Sequence, residues 1–378
     1  MKFIHLSDLH LGKRVNEFSM IEDQEFILIK IMNIIDEQKP DAVIIAGDVY
    51  DKSVPSAEAV ELFDNFLVNL SKRELKVFVI SGNHDSAERI AFGGRLMDKS
   101  GIYMSPVYSG NINPVTLTDN FGEIKIYMLP FIKPINARRF FPDDEIVSYS
   151  DAIKSTVNAM NIDISKRNIL VTHQFVTGAN RTESEDISVG GTDNVDVSAF
   201  ANFDYVALGH IHRAQSCGGE YIRYSGTPLK YSFSEANDKK TVTVVEMNEK
   251  GNISLDFIPL TPKHDMVEIR GTYDELTLKS FWENTSYNED YMHITLTDEE
   301  DIPDALTKLR VIYKNIMKLD YDNKRTRTSN EITGAETTKE KTPFEYFSEF
   351  YELRNGQPLS EEQATFVTDI IEQIQEGK

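Results

Sequence analysis

The sequence predicts a layered α/β fold in three parts: a large first domain, a small α+β domain and a helical tail. Three observations predict it. Almost wholly apolar runs, such as residues 42–46 and 77–80, are typical of strands buried on both faces. Between these two runs, residues 57–67 carry apolar side chains at helical spacing, so strands and helices alternate. Beyond residue 262 the pattern changes to the alternating apolar and polar residues of half-buried strands.

The first domain, residues 1–262, is predicted from a series of these apolar runs. They lie at residues 3–4, 42–46, 77–80, 169–172, 205–208 and 241–245. Residues 263–322 follow as a small α+β domain that caps the first. Its strands are expected at residues 266–270, 291–296 and 316–321, and its helices at residues 274–283 and 303–314.

The last part of the chain is predicted to be a linker and two helices. Residues 323–341 are polar, with Ile332 as their one large aliphatic residue, which predicts a flexible linker. Helices are expected to start at Thr342 and Ser360, because each is followed three residues later by Glu or Gln, as in a capping box. Within residues 342–378, the second helix carries an apolar stripe that consists of Phe366, Val367, Ile370, Ile371 and Ile374. Two helices cannot bury this stripe alone, so it either packs on the body of the protein or docks another protein.

The composition is that of a globular protein, with 40% hydrophobic and 27% charged residues in 378. The net charge of −21 argues against a broad basic face for nucleic acid. Residues 263–378 hold 25 acidic and 14 basic residues, so much of the acidity lies away from the first domain. Cys217 is the single cysteine, the start does not resemble a signal peptide, and no apolar run approaches a membrane span. We therefore expect a cytoplasmic protein without a membrane contact.

Five short polar motifs each follow one of the apolar runs. Because ligands gather outside the carboxyl ends of strands in open α/β sheets, we expect these motifs to converge on one edge. Glycines directly before Asp48, Asn83 and His210 are expected to let the backbone turn sharply. The motifs are Asp8-Leu9-His10, Gly47-Asp48, Gly82-Asn83-His84-Asp85, Thr172-His173 and Gly209-His210-Ile211-His212.

The motifs supply imidazole and oxygen donors and no sulfur, a set that suits Mn²⁺, Fe or Zn²⁺. In Asp8-Leu9-His10 and His210-Ile211-His212, residues two apart point to the same side of an extended strand and can reach one ion. Seven such donors are too many for one open catalytic metal, but they suit two ions that share a carboxylate about 3.5–4 Å apart. A single histidine at a strand end is usually structural, so the prediction depends on the whole ordered set. The seven are Asp8, His10, Asp48, Asn83, His173, His210 and His212.

The ordered motifs resemble those of the calcineurin-like metallophosphoesterases, over roughly residues 1–260. The resemblance implies a four-layer α/β/β/α sandwich and hydrolysis of a phosphoester by a metal-activated water. It also implies that His84 contacts the phosphate or protonates the leaving oxygen, and that Asp85 orients His84. The implied ligands are Asp8, His10 and His212 for one ion and Asn83, His173 and His210 for the other, with Asp48 shared.

Further segments resemble one branch, the SbcD family of bacterial nuclease subunits. They are residues 5–13, 47–51, 188–193, 225–233 and 347–356. The motifs of protein phosphatases and purple acid phosphatases are absent. The family resemblance implies a double-strand exonuclease and hairpin or single-strand endonuclease with two Mn²⁺, or alternatively Mg²⁺, Fe or Zn²⁺. It implies a homodimer joined to the coiled-coil ATPase SbcC in DNA repair, recombination and replication, and docking of that partner by the C-terminal helices.

Two other functions are compatible with parts of the sequence. A stand-alone phosphodiesterase for small nucleotides would account for the metal motifs but not for the cap, linker and tail. A scaffold with a vestigial site would account for the tail but would not need the complete set of donors. DNA-contacting residues are not indicated by any motif. Four basic residues are candidates by their position near the motifs: Lys13, Arg14, Arg89 and Arg181.

Overall fold

A computed structural model describes residues 1–185, 193–324, 342–355 and 358–375. Most of the 188–193 segment and of the predicted linker lies outside these residues. The strands are β1 Lys2–Leu6, β2 Arg14–Val15, β3 Phe18–Ser19, β4 Ala42–Ala46, β5 Lys76–Ile80, β6 Ile102–Met104, β7 Val115–Asp119, β8 Gly122–Leu129, β9 Arg167–His173, β10 Phe175–Val176, β11 Asn194–Val195, β12 Tyr205–Gly209, β13 Gln215–Ser216, β14 Ile222–Tyr224, β15 Thr241–Met247, β16 Ile253–Pro259, β17 Met266–Gly271, β18 Tyr291–Leu296 and β19 Asn315–Tyr321. The α-helices are α1 Ile21–Gln38, α2 Ala57–Ser71, α3 Ala87–Ala91, α4 Gly94–Met97, α5 Pro134–Arg138, α6 Tyr149–Ala159, α7 Tyr273–Thr277, α8 Lys279–Trp282, α9 Ala305–Leu309, α10 Pro343–Asn355 and α11 Glu361–Gln375.

Two six-stranded sheets form the centre of the first domain. The first sheet has the order β16-β15-β1-β4-β5-β6, and its four strands β1, β4, β5 and β6 run parallel. The second has the order β13-β14-β12-β9-β8-β7, and β14, β12, β9 and β8 run parallel. The carboxyl ends of parallel strands lie at one edge of their sheet, so each sheet presents the ends of several strands together.

Alternate residues of each strand face different layers, which builds the four-layer sandwich that the sequence resemblance implies. In β4, Val43 and Ile45 pack in a core with residues of α1 and α2. Ile44, between them, packs in a second core, together with Ile169 of the other sheet. A third core contains the opposite face of the second sheet and residues of α6. Because both faces of these strands are buried, their sequences are continuously apolar. The α/β fold class is confirmed.

The capping segment forms a third sheet, with the order β17-β18-β19. Its strands lie where the sequence predicts them, within one residue, but both predicted helices are wrong in extent. The expected helix at 274–283 is interrupted at Leu278, whose ψ of 127° ends α7 before α8 begins. The expected helix at 303–314 is only Ala305–Leu309, because Asp304 has a left-handed φ of 54° at its start. The division of the chain into domains remains a prediction.

Helices α10 and α11 belong to a separate compact unit. As expected from the sequence, α11 follows a capping box: Gln363 N donates to Ser360 Oγ (3.2 Å), and Ser360 N donates to Gln363 Oε1 (2.9 Å). Phe366 and Ile370 on α11 are 64% and 37% exposed. In the described part of the chain, every helix is too short or too polar to cross a bilayer.

Candidate metal centre

The five motifs follow the carboxyl ends of β1, β4, β5, β9 and β12, and their side chains meet. Ligand atoms of three groups lie within 4.8 Å of one another: Asp8 with His10 and His212, Asp8 with Asp48 and His173, and His10 with Asp48 and His84. Asn83 joins them, since its Oδ1 lies 3.0 Å from His173 Nε2 and 2.9 Å from His210 Nδ1. The seven predicted donors are therefore brought together, three of them from the second sheet.

Asp48 lies at the centre of the cluster. Its Oδ2 is 3.3 Å from His173 Nε2 and 3.6 Å from His10 Nε2. Its Oδ1 accepts a hydrogen bond from the backbone N–H of His84, at 2.9 Å. The carboxylate is 2% exposed and has donors of both predicted ion sites on either side. This position is the one a bridging ligand would need.

Several of these residues have unusual backbone conformations. The φ angles of Asp8, His10, Asp48 and His210 are 53°, 45°, 49° and 104°, in the left-handed region that L-residues rarely adopt. Such strain costs about 1–3 kcal/mol per residue and is kept only where the surroundings hold it. Here Asp8 N donates to the carbonyl of Gly47 and His10 N to that of Asp48, both at 3.0 Å. The two loops therefore hold each other in the conformation that turns their side chains inward.

The donor set fits divalent cations. His10 Nε2 and His212 Nε2 face each other at 3.1 Å, and Ser184 Oγ lies 2.6 Å from His212 Nδ1. A proton on His212 Nδ1, donated to Ser184, leaves the Nε2 lone pair free for a metal. Two imidazole lone pairs at this distance repel each other unless a cation or a proton lies between them. Burial lowers the pKa of both histidines, which favours the neutral form that binds metals.

The pKa values of the buried carboxylates and of His173 show how strongly negative charge is concentrated at this site. Burial and the neighbouring Asp48 raise the pKa of Asp8 to about 7. Burial alone would lower the pKa of His173, but the carboxylates of Asp48 and Asp8 outweigh it and raise the pKa to about 9. Two buried carboxylates so close together need compensating positive charge, and protonated His173 supplies part of it when no ion is bound. Divalent cations would supply that charge, and their ligands would be ionised.

His84 and Asp85 lie beside the donors. His84 is 19% exposed, with Nε2 at 3.9 Å from Asp48 Oδ2 and Nδ1 at 3.1 Å from the carbonyl oxygen of Asp51. The Asp85 carboxylate accepts hydrogen bonds from the backbone N–H groups of Val49, Tyr50 and Gly82, at 2.9–3.1 Å. Asp85 thus ties the second motif to the third. The orientation of His84 by Asp85 stays a prediction.

The three motif glycines meet two different requirements. Gly47 has a φ of +87°, as the expected sharp turn requires. Gly82 and Gly209 do not adopt a left-handed φ, so their backbone conformation does not require glycine. A Cβ on Gly82 would lie 2.1 Å from Asp48 Oδ1, and one on Gly209 would lie 1.9 Å from the carbonyl oxygen of Ala46. These two glycines are needed because other chain segments approach them closely.

Sequence reasoning missed the residues that support the ligands. Ser184 Oγ donates to Glu235 Oε1 (2.5 Å), and Lys240 Nζ donates to Glu235 Oε2 (2.5 Å), behind His212. Gln24 and Tyr231 hold the loop that contains His10, and only Tyr231 lies in a segment that the sequence marked. The others are single polar residues without a motif around them, so the sequence carries no signal for them.

The four basic candidates for DNA contacts have different surroundings. Lys13 donates to Asp51 Oδ1 at 2.7 Å. Arg181 donates to Asp193 Oδ2 at 2.5 Å and lies 3.7 Å from the ring centroid of Phe175. Arg14 and Arg89 are exposed. A role of these four residues in binding DNA stays a prediction.

Comparisons with known proteins agree with the geometry. Residues 1–214 match the family model of the calcineurin-like phosphoesterases, and residues 262–355 match that of the type 5 capsule protein repressor C-terminal domain. SbcD of Staphylococcus epidermidis, a component of the nuclease SbcCD, is 31% identical over 98% of both chains. The protein of the same name from Staphylococcus saprophyticus is 34% identical over 84% of both chains. Among solved structures, a dimetal phosphatase from Danio rerio aligns over 69% of this chain and 99% of its own, with 10% identity and a TM-score of 0.41.

Proposed function

We propose that DNA is the substrate of this protein and that two ions serve the reaction. The chain belongs to the calcineurin-like phosphoesterases and, within them, to the SbcD family of SbcCD nucleases. It is therefore a metal-dependent nuclease. The observation that carries this proposal is the convergence of seven donors around the carboxylate of Asp48. Seven donors are too many for one open catalytic metal, whereas they suit two ions that share a carboxylate. We further propose that the enzyme cuts double-stranded ends as an exonuclease and hairpins as an endonuclease.

The residues take distinct roles in this proposal. When bound, two divalent cations would lower the pKa of water and offset negative charge on the phosphate oxygens. Mn²⁺ is the proposed metal. Asp8, His10 and His212 would hold one ion, and Asp48 would be shared between the two. The remaining ligands are Asn83, His173 and His210.

His84 is proposed to donate a proton to the leaving oxygen. Its ring is partly exposed at the edge of the cluster and lies within 3.9 Å of Asp48, so a phosphate bound at the ions can reach it. An imidazole can hold a proton and pass it to a leaving oxygen, which suits a general acid. The backbone N–H of His84 already contacts Asp48, so the side chain is positioned by the same carboxylate that the ions share.

The test is a cleavage assay with purified full-length protein, Mn²⁺ and end-labelled duplex and hairpin DNA. Replacing His84 by Ala should keep Mn²⁺ binding and lower the cleavage rate by about 10²–10⁴, the usual contribution of a general acid. A control variant is Glu123→Ala, since this exposed residue lies at the start of β8, at the opposite end of the strand from the motif loops, and forms an ion pair with Lys166 at 3.0 Å. Full activity of the His84 variant would remove it from the acid role. Hydrolysis of cyclic nucleotides by a wild-type protein that leaves DNA intact would favour the small-nucleotide phosphodiesterase.

We also propose that the C-terminal helices dock the SbcC coiled-coil ATPase. Exposed Phe366 and Ile370 on α11, together with Phe350 at 58% exposure on α10, support this role. An amphipathic helix binds a partner through such side chains at helical spacing. Co-purification of SbcC with the full chain and with a chain that ends at residue 341 provides the test. Equal recovery of the ATPase with both chains would refute the docking role.

A homodimer is the last part of the proposal. Phe92 and Leu96 are 82% and 81% exposed, close together in sequence at the end of α3 and on α4, and such exposed pairs of large apolar side chains are typical of interfaces. Light scattering should give the mass of a dimer for the wild type and of a monomer for the double variant Phe92→Ser, Leu96→Ser. A dimer that survives both changes would place the interface elsewhere.

A further inference from the structure

The first turn of α1 holds the loop that carries His10. Gln24 is 1% exposed, and its Nε2 donates to the carbonyl oxygen of His10 at 2.7 Å. Its Oε1 accepts from the backbone N–H of Gly12 at 2.9 Å. Gln24 Nε2 also donates to Tyr231 OH (2.9 Å), which in turn donates to the carbonyl oxygen of Leu9 (2.6 Å). Two side chains thus fix the peptide groups on both sides of a metal ligand whose own φ is strained.

The residue next to Gln24 holds the capping sheet. Asp23 is also 1% exposed, and its Oδ2 accepts a hydrogen bond from Tyr291 OH at 2.7 Å. Its Oδ1 lies 3.0 Å from His264 Nδ1 and accepts from the backbone N–H of the same residue at 3.3 Å. Tyr291 is the first residue of β18, the middle strand of the cap. Asp23 is therefore a buried carboxylate whose described partners all belong to the cap.

A second contact joins the cap to the other support of the loop. Lys230, the neighbour of Tyr231, forms an ion pair with Asp265 at 2.8 Å. The ring of Phe233 lies 5.2 Å from that of His293 in the cap. Both segments that hold the peptide groups around His10 are thus also the segments that the cap touches.

We propose that Gln24 is a positioning residue for His10 and that Asp23, beside it on one rigid turn, couples the placement of the cap to the geometry of the His10 ion site. The inference rests on the proposed metal site. A helix packed along its length transmits a displacement of its first turn as a unit, and α1 buries Ile27, Leu28 and Ile31 in the core. A cap that shifts on binding DNA would then change how firmly His10 is held. The proposed cleavage reaction would become sensitive to the cap without a direct contact between cap and metal.

Tyrosine variants of the full-length protein test the coupling, with Mn²⁺ as the probe. Tyr291→Phe removes the hydroxyl that Asp23 accepts, whereas Tyr313→Phe removes a hydroxyl that donates to Leu276 within the cap at 2.6 Å. Both tyrosines are buried, so the pair is matched. Calorimetric titration should show the Mn²⁺ affinity lowered about threefold or more by Tyr291→Phe and unchanged by Tyr313→Phe. Equal affinities for the two variants would overturn the coupling.

Gln24→Glu tests the positioning role, because it keeps the shape and the acceptor for Gly12 but loses the donor to His10. Loss of a group that orients a metal ligand lowers metal affinity by about 10–100-fold, and we expect a loss in that range. Hydrogen exchange of the amides of residues 9–13 should also become faster. A variant with wild-type affinity and exchange would refute the role. Mn²⁺ binding is measured without DNA, so absent DNA cleavage would count against the proposed function and leave this result standing.

Discussion

Replacing Ser184 by Ala should lower the affinity for one of the two proposed metal ions and leave the affinity for the other unchanged. The hydroxyl lies between His212 Nδ1, at 2.6 Å, and Glu235 Oε1, at 2.5 Å. Lys240 completes the chain with its hydrogen bond to the same carboxylate. Ser184 donates its proton to Glu235, so it is placed to accept a hydrogen bond from His212 Nδ1, which would leave His212 Nε2 unprotonated and directed at His10. Without the hydroxyl, the imidazole loses the contact that fixes both its tautomer and its ring orientation.

The magnitude follows from the contacts that are removed. The substitution deletes one hydrogen bond from His212 and one to the ionised Glu235. Burial raises the pKa of this glutamate, but its contacts with His212 and Lys240 outweigh burial and lower the pKa to about 2, so the carboxylate is charged. Outer partners of metal-bound histidines contribute about 10–100-fold to affinity, or about 1.4–2.7 kcal/mol. We expect a loss within this range for the ion that His212 binds.

The assay is a calorimetric titration of the metal-free full chain with Mn²⁺. Ser184→Ala should shift one binding step and leave the other unchanged, whereas Ser184→Thr, which keeps a hydroxyl, should restore most of the affinity. Ser165→Ala is the matched control, because Ser165 is exposed and its Oγ donates to Asp163 Oδ1 at 2.7 Å before the start of β9, away from the site. Wild-type affinity in the Ser184→Ala variant would refute the reasoning, as would an equal loss in the control.

Two further predictions concern stability and the approach of the two sheets. Asp119→Asn should lower the free energy of unfolding at neutral pH by about 1.5–3 kcal/mol, because Arg167 donates two charged hydrogen bonds to the carboxylate, at 3.1 and 2.5 Å. Those bonds also hold the Asp119 pKa below its usual range, so its contribution to stability is complete above about pH 5 and is lost as the pH falls. Urea unfolding at pH 7 and pH 3 should show a difference between wild type and variant that shrinks at pH 3. A constant difference would contradict this. Gly209→Ala should abolish Mn²⁺ binding, because the added Cβ would lie 1.9 Å from the Ala46 carbonyl oxygen. The control Gly219→Ala should bind Mn²⁺ normally, because its Cβ would have no neighbour closer than 4.0 Å. Both variants are titrated with Mn²⁺, and normal binding by Gly209→Ala would contradict the importance of this contact.

The strands and the site donors could be predicted because each depends on a pattern that is local in sequence. Val43 and Ile44 face different layers, yet both layers are apolar, so the run at 42–46 is continuous and conspicuous. The proposed metal ligands follow such runs directly, and parallel strands bring their ends to one edge whatever lies between them. The position of each motif directly after a strand was therefore enough to predict that the motifs lie close together, whatever the structure of the connecting segments.

The supports of the ligands could not be predicted because they depend on contacts between distant segments. Ser184 lies 28 residues before His212 and 51 before Glu235, and the three meet only in the folded chain. Gln24 belongs to an amphipathic helix, where a polar residue at the start is ordinary. Leu278 is a related case in the cap: its apolar side chain favours a continuous helix, but its extended backbone divides α7 from α8.

The motif glycines show where local reasoning ends. A glycine before a polar residue at a strand end suggests a turn, and Gly47 does have the left-handed φ that a turn requires. At Gly209 the need for glycine comes from the other sheet, since the carbonyl oxygen of Ala46 occupies the space that a side chain would fill. The same oxygen accepts a hydrogen bond from His173 Nδ1 at 2.8 Å. Ala46 and Gly209 end β4 and β12, one strand from each sheet. The distance between the two halves of the proposed metal site is thus set by a backbone contact that only glycine permits. Donors from both sheets can lie close to Asp48 because nothing larger separates the strand ends.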